Sequence, residues 1–285
     1  MKVGWLLDGD MFPHYREELI ASIRSLGHDV KLVQPPSPPY RWDDLDRTYR
    51  NLYPADACVI AHGDIELVSG IAKEHRWTPG AFATIKNFFC SNYYCRFGSF
   101  LLNRDYIMLP FGELARCREF LTHTVGRNGR IFVRPDSPLK LFTGQVAASE
   151  TFDADLEYMA FYDVPPEAIV VVSSPRTITT EWRFVVANKG VVAGCQYKRD
   201  GKQDCQPTYA AGAHALAKSI AASDYQPDPA WVLDICQTDD GEYHLLEIGG
   251  FSFADLYACN KADIVAAVSR AAIETWQQRQ EQEPK

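Results

Sequence analysis

The stretch WVLDICQTDDGEYHLLEIGGFSFADLYACN, residues 231–260, poses a charge problem. Asp240-Gly241 suits a two-residue hairpin turn, because both residue types tolerate positive φ and apolar residues continue on either side. With Asp239 opposite Glu242 across that turn, counting outward sets Asp234 directly opposite Glu247 on one face. Facing carboxylates repel. A folded chain relieves such a pair by keeping one acid protonated, by laying a basic side chain between the two, or by binding a cation on both. On this reading, removing either charge raises the metal-free melting temperature. By the same alternation, His244 falls on the face opposite Glu247.

The chain of 285 residues, 46% of them hydrophobic, can build one large domain or two packed ones. A net charge of −8 argues against a surface devoted to nucleic acid, so any phosphate site has to be built locally. The opening MKVGWLLDGDMF reads as a buried strand rather than a signal peptide: its apolar run is short, and Asp8 and Asp10 follow at once. No segment has the length of a bilayer crossing. Eight scattered cysteines with no CxxC pair fit reduced, mostly buried thiols of a cytoplasmic protein better than a zinc site.

Along the chain, KVGWLLD, the helical PHYREELIASIRSLG and HDVKLVQP make a βαβ opening, which implies a parallel sheet. PPSPPY is a stiff loop, DACVIAHGD a third strand and DIELVSGIAKE a helix. An aromatic-rich segment then joins two domains, placed at 1–115 and 116–285, the second with lobes 116–170 and 171–285. Beyond the junction the pattern is antiparallel β: RIFVRPD, KLFTGQVA, AIVVVSS, TEWRFVVANKGVVAGCQYKRDG and the acid-bearing hairpin. TYAAGAHALAKSIAAS is a helix. The final helix has Asn260 and Asp263 in capping positions and Ile264, Val268 and Ala271 on its apolar stripe.

The charged residues of the second domain come in a definite order. Arg134 ends one β run and Lys140 opens the next; Glu181 and Arg183 alternate on one face of TEWRFVV; Lys198 and Arg199 end another strand; Asp234 and Glu247 come last. Singly, each reads as a solvated charge or a surface ion pair. Together, cations followed by acids on sheet strands are what a nucleotide and its Mg²⁺ require.

In that order the segments RIFVRPDSPLKLFTG, VVVSS, EWRFVVANKGVVAGCQY, VLDIC and HLLEIGG resemble an ATP-grasp domain, in particular a divergent branch of bacteria and phages. The resemblance spans roughly residues 100–275. It implies a mixed α+β and α/β chain: antiparallel sheets with helices, preceded by a small βαβ pre-ATP-grasp domain. It further implies that Arg134 and Lys140 contact phosphates, that the strand Val170 to Ser174 reads the adenine edge through Val171, Val172, Ser173 and Ser174, and that Glu181 joins the nucleotide-binding set. Arg183 and Lys198 would face the transferred phosphate, and Asp234 and Glu247 would hold Mg²⁺. The family commonly has an asparagine two residues after the second acid, and Gly249 stands there. Asn260 or Asp255 then supplies the missing oxygen, or binding survives while catalysis is lost.

The implied reaction is ATP-dependent ligation: a carboxylate takes the γ-phosphate, and an amine displaces phosphate from the acyl-phosphate to leave an amide. Positioning and charge neutralisation serve such a reaction without a nucleophilic triad, so Ser252, Cys259 and His244 are not read as nucleophiles. Gly249, Gly250, Phe251, Phe253 and Tyr257 either line the acceptor side or pack beneath the last helix. Two rival readings are a kinase that stops at phosphate transfer and a nucleotide-binding module without turnover. A Rossmann oxidoreductase is disfavoured because DGDMFPH lacks the glycine-rich turn. Free amino acids, other small molecules and peptides all remain open as substrates, as does the oligomeric state.

Overall fold

The computed structural model describes residues 1–34, 42–139, 141–161 and 163–282. In the first unit, β1 (Gly4–Asp8), α1 (Arg16–Ser25), β2 (Asp29–Val33), α2 (Trp42–Tyr49), β3 (Cys58–His62), α3 (Ile65–Glu74) and β4 (Thr78–Gly80) build a parallel sheet of order β2-β1-β3-β4. β1 and β3 are buried along their whole length, which is why they read as continuous apolar runs. α1 lays Leu19, Ile20 and Ile23 into the core, and Gly27, at φ +77°, turns the chain out of the helix.

Two antiparallel sheets follow. After α4 (Cys90–Phe97), strands β5 (Tyr106–Pro110), β6 (Arg130–Pro135), β7 (Gln145–Ala148) and β8 (Ile169–Ser173) pair in the order β5-β8-β6-β7, with α5 (Phe152–Ala160) between β7 and β8 in sequence. Strands β9 (Ile178–Ala187), β10 (Gly190–Arg199), β11 (Lys202–Gln206), β12 (Ala230–Thr238) and β13 (Tyr243–Gly250) pair in the order β11-β10-β9-β12-β13. Because β5 bonds to β8, the first of these sheets begins at Tyr106, ahead of the boundary placed at residue 115.

The five-stranded sheet is covered on both faces. Trp182, Phe184 and Leu233 pack with α4 and with Ala213, Ala217 and Ile220 of α6 (Ala211–Ala221). Val185, Cys195 and Val232 pack on the other face with Ile264, Val265 and Val268 of α7 (Lys261–Gln282), in a core shared with α1 and β1. Full burial of each large apolar side chain contributes about 1.5–3 kcal/mol. Along β9 the alternation that buries Val185 under α7 puts Arg183 and Glu181 on that same face, beyond the helix's cover. No helix among the described residues is long and apolar enough to cross a membrane.

The acid-bearing hairpin departs from the two-residue turn. Gly241 N–H bonds the carbonyl of Thr238 at 3.0 Å and Thr238 N–H bonds that of Glu242 at 3.0 Å, so Asp239, Asp240 and Gly241 form a three-residue loop with Gly241 at φ +85°. That shifts the register by one, pairing Gln237 with Tyr243 and Ile235 with Leu245. A bulge between Ile235 and Asp234 then restores it, and Asp234 does lie opposite Glu247. The same bulge overturns the placement of His244: it stands opposite Cys236, two residues from Asp234, and shares the face of both acids.

The parallel unit docks through His62 at the end of β3. Its Nε2 lies 3.0 Å from the Tyr15 hydroxyl, and its ring packs against Phe12 and Phe251. Burial pushes the imidazole down to about 4, from 6.5. Between those values the unfolded chain holds the proton more readily than the folded one, so stability present at neutral pH is lost as pH falls from 6.5 towards 4. Equilibrium urea unfolding across this window should show that loss, and His62→Phe should flatten it.

Candidate active site

Register places the charged residues in two rows across the five-stranded sheet. Cys195, Arg183, Asp234 and Glu247 stand side by side on β10, β9, β12 and β13; Lys198, Glu181, Cys236 and His244 form the next row. The Arg183 guanidinium grips Asp234 with two parallel bonds, Nε to Oδ1 at 2.8 Å and Nη2 to Oδ2 at 2.7 Å, and its Nη1 donates to the Asp255 carbonyl at 2.9 Å. Lys198 Nζ lies 3.1 Å from Glu181 Oε1, whose other oxygen accepts from the Tyr197 hydroxyl.

Glu247 is met from the neighbouring sheet. Arg134, on β6, donates through Nη2 to Glu247 Oε2 at 3.0 Å and through Nη1 to the Leu246 carbonyl at 3.4 Å. Each facing acid therefore has an arginine, one from its own sheet and one from the neighbouring sheet. Burial pushes the Asp234 carboxyl up while Arg183 pulls it down. For Arg183, burial works against the charge, while its neighbours, the Asp234 carboxylate foremost, favour it, and the guanidinium is held protonated.

The other expected residues divide. Val171 and Val172 are buried core residues on either face of β8, Val171 towards Trp182 and Val172 towards Ile131 and Val133. Ser173 is buried with a hydroxyl that has no partner among the described residues, and Ser174 donates to the Val125 carbonyl at 2.7 Å. Lys140 lies outside the described residues. Asn260 is exposed and uses its carboxamide oxygen to accept from Asp263 N–H at 3.1 Å, as the cap of α7. Asp255 turns its carboxylate to His14 and to Tyr257 N–H. Phe251 is core, Phe253 packs edge-on against Phe88, and Tyr257 alone of the three aromatics reaches the site. Ser252 and Cys259 are tied into structure, through Phe82 N–H and the Cys195 thiol.

Sequence reading missed Tyr197, which the motif GCQYKRDG places beside Lys198 without showing which way its ring points. It also missed a group of arginines. A cleft of about 850 Å³ opens at the end of the sheet where His244 lies, lined by Arg127 and Arg130 ahead of and on β6, by Arg176 between β8 and β9, by Arg104, and by the hairpin loop. None of these four arginines is ion-paired among the described residues. The Arg183–Asp234 pair does not line this cleft; it lies one row along the sheet from His244. Nothing in the local sequence marks four arginines so far apart as neighbours.

As a metal set, the described residues hold no cluster of three or more His, Cys, Asp or Glu side chains. Two facing carboxylates nonetheless fit Mg²⁺, which takes one or two protein carboxylates and completes its shell with phosphate oxygens and water. The paired arginines also reverse an expectation: Asp234→Asn strands a buried guanidinium rather than relieving repulsion. It should lower stability by about 3 kcal/mol in urea denaturation, in place of a raised melting temperature.

The fold recurs in solved structures. D-cycloserine synthetase DcsG superposes with a TM-score of 0.62 at 11% identity, covering 95% of this chain and 100% of that one. A RimK domain ATP-grasp protein from Sphaerobacter thermophilus gives 0.59 at 15% identity over 95% and 99%. D-alanine–D-alanine ligase from Bacillus anthracis gives 0.54 at 13% identity over the full length of both. No curated protein matches the chain in sequence. The ATP-grasp domain of the R2K clade, family 2, matches residues 104–267, a span that holds both antiparallel sheets and every paired acid and arginine above, and the chain belongs to that family.

Proposed function

We propose that the protein is an ATP- and Mg²⁺-dependent ligase that joins a carboxylate to an amine through an acyl-phosphate. The observation that carries this reading is the pairing of two facing carboxylates with two arginines from separate sheets, Arg183 on Asp234 and Arg134 on Glu247. Phosphates entering between the sheets would take over the Arg134 guanidinium and free the Glu247 carboxylate, while Arg183 stays held against Asp234. Asp234 and Glu247 are the residues that would hold Mg²⁺, which when bound neutralises charge on the phosphates.

Arg183 and Lys198 would then stabilise the transferring phosphoryl group, and Arg134 would orient the chain of phosphates. The unpartnered Ser173 hydroxyl at the end of β8 offers a hydrogen-bonding group for the adenine edge. His244 and the arginines of the adjoining cleft favour a substrate with negative charge, an amino acid or a peptide. PsnB, of the same fold, has been solved with a precursor peptide. A second reading, nucleotide binding without turnover, draws on Gly249 and on the commitment of Asn260 to a helix cap.

Thermal unfolding with ATP, ADP and NAD⁺, each with and without Mg²⁺, separates these. A ligand at 100 times its Kd stabilises by about 2.7 kcal/mol, and a rise specific to adenine nucleotides with Mg²⁺ is expected. Arg134→Met should abolish most of that rise. An equal response to NAD⁺, or none to any nucleotide, would rule the assignment out, and ATP binding without phosphate release over pools of amino acids and peptides would leave only the non-catalytic reading.

A further inference from the structure

Two irregularities on separate elements meet at Arg183. On β10 the pairing with β9 skips one residue between Gln196 and Lys198, and Tyr197 is the residue left over. Such a bulge re-aims a side chain, and here the ring of Tyr197 lies 5.6 Å from the Arg183 guanidinium carbon, with its hydroxyl 3.3 Å from Asp234 Oδ2 and bonded to Glu181. On the segment between β13 and α7, Tyr257 sits at φ +42°, a left-handed backbone that a bulky residue adopts only under constraint. Its ring lies 5.1 Å from the same guanidinium and stacks on Tyr197, centroids 4.9 Å apart and planes within 5°.

The constraint on Tyr257 is visible. Its N–H donates to Asp255 Oδ1 at 2.8 Å, and its carbonyl accepts at 2.7 Å from Nζ of Lys261, a lysine only 1% exposed that also donates to the Cys259 carbonyl at 2.6 Å. A buried lysine that holds two carbonyls, with Glu18 Oε2 at 3.8 Å and the Tyr15 ring beside it, braces a strained tyrosine next to a bulge. Together they put two stacked rings against one arginine.

We infer that Tyr197 and Tyr257 are positioning residues, an aromatic cradle that fixes the Arg183 guanidinium against Asp234 so that it meets an incoming phosphate in one orientation. This deepens the ligase reading and rests on it for the identity of the phosphate. Ring faces attract a guanidinium and restrict its rotation without competing for its N–H donors, which leaves those donors for carboxylate, carbonyl and phosphate.

The test uses the full chain and two readouts. Without nucleotide, a double-mutant cycle of Tyr257→Leu with Arg183→Lys, read as melting temperature, should be clearly non-additive; additive shifts would overturn the cradle. With nucleotide, calorimetric titration of ATP and Mg²⁺ should show binding weakened about tenfold by Tyr257→Leu and by Tyr257→Asn alike, with Tyr257→Phe close to the parent. Asn tolerates the left-handed backbone, so Tyr257→Asn should melt above Tyr257→Leu while binding no better. Affinity that follows melting temperature across the three variants, or a Leu variant that binds ATP like the parent, would reduce Tyr257 to packing. A parent protein that takes no ATP removes the ligase reading and this role with it, while the nucleotide-free cycle still reports separately on the cradle.

Discussion

The structure turns on one buried ion pair, Arg183 with Asp234. Taking two charges out of water is costly, and their attraction offsets that only when the geometry is good and the remaining donors and acceptors are satisfied. Here the guanidinium is bound in parallel by the carboxylate, its outer nitrogen is taken by the Asp255 carbonyl, and Tyr197 and Tyr257 lie against it. Those partners come from β9, β12, β10 and the segment before α7, so the pair draws four parts of the chain to one point. The strand order makes this possible: β9 and β12 are adjacent at the centre of the sheet although the paired residues are 51 apart in sequence.

The second pair works differently. Arg134 and Glu247 are 113 residues apart and belong to different sheets, so their contact ties one sheet to the other. Its side chains are 17% and 28% exposed, against 11% and 1% for the first pair. The central pair is thus a fixture of its sheet, while the crossing pair can exchange its partner for an anion at lower cost. On the proposed reading, a cleft that admits and releases a nucleotide would use one of each: a preset cation, and a link between sheets that a phosphate can replace.

Much of this was legible in the sequence, for identifiable reasons. Buried parallel strands leave continuous apolar runs such as GWLLD and CVIAH, and the final helix announces itself through Asn260 and its stripe, because both signals are local. The facing acids were found for a reason only half right: the loop is one residue longer than supposed and a bulge returns the residue. Two errors cancelled at Glu247 but not at His244, which lies before the bulge and changed faces. The arginine partners were out of reach for another reason. Arg183 and Arg134 were both identified as cations of the site, yet which acid each would meet depends on strand order and on how two sheets face each other, neither of which is written in local pattern.

The glycine at position 249 bears on the same economy of charge. At Gly250 an added Cβ would fall 2.5 Å from Phe253 Cε1 and 3.1 Å from the Phe82 carbonyl oxygen, so packing itself demands glycine there. At Gly249 the one close neighbour is Val232 Cγ2 at 3.3 Å, a contact that a shift of a few tenths of an ångström relieves, and its φ lies outside the left-handed region. Neither the backbone nor a close contact at Cβ therefore demands glycine at 249, where the resemblance implies an asparagine. On the proposed reading, Arg134 and Arg183 would carry part of the charge neutralisation that a polyphosphate needs, beside a metal held by two carboxylates.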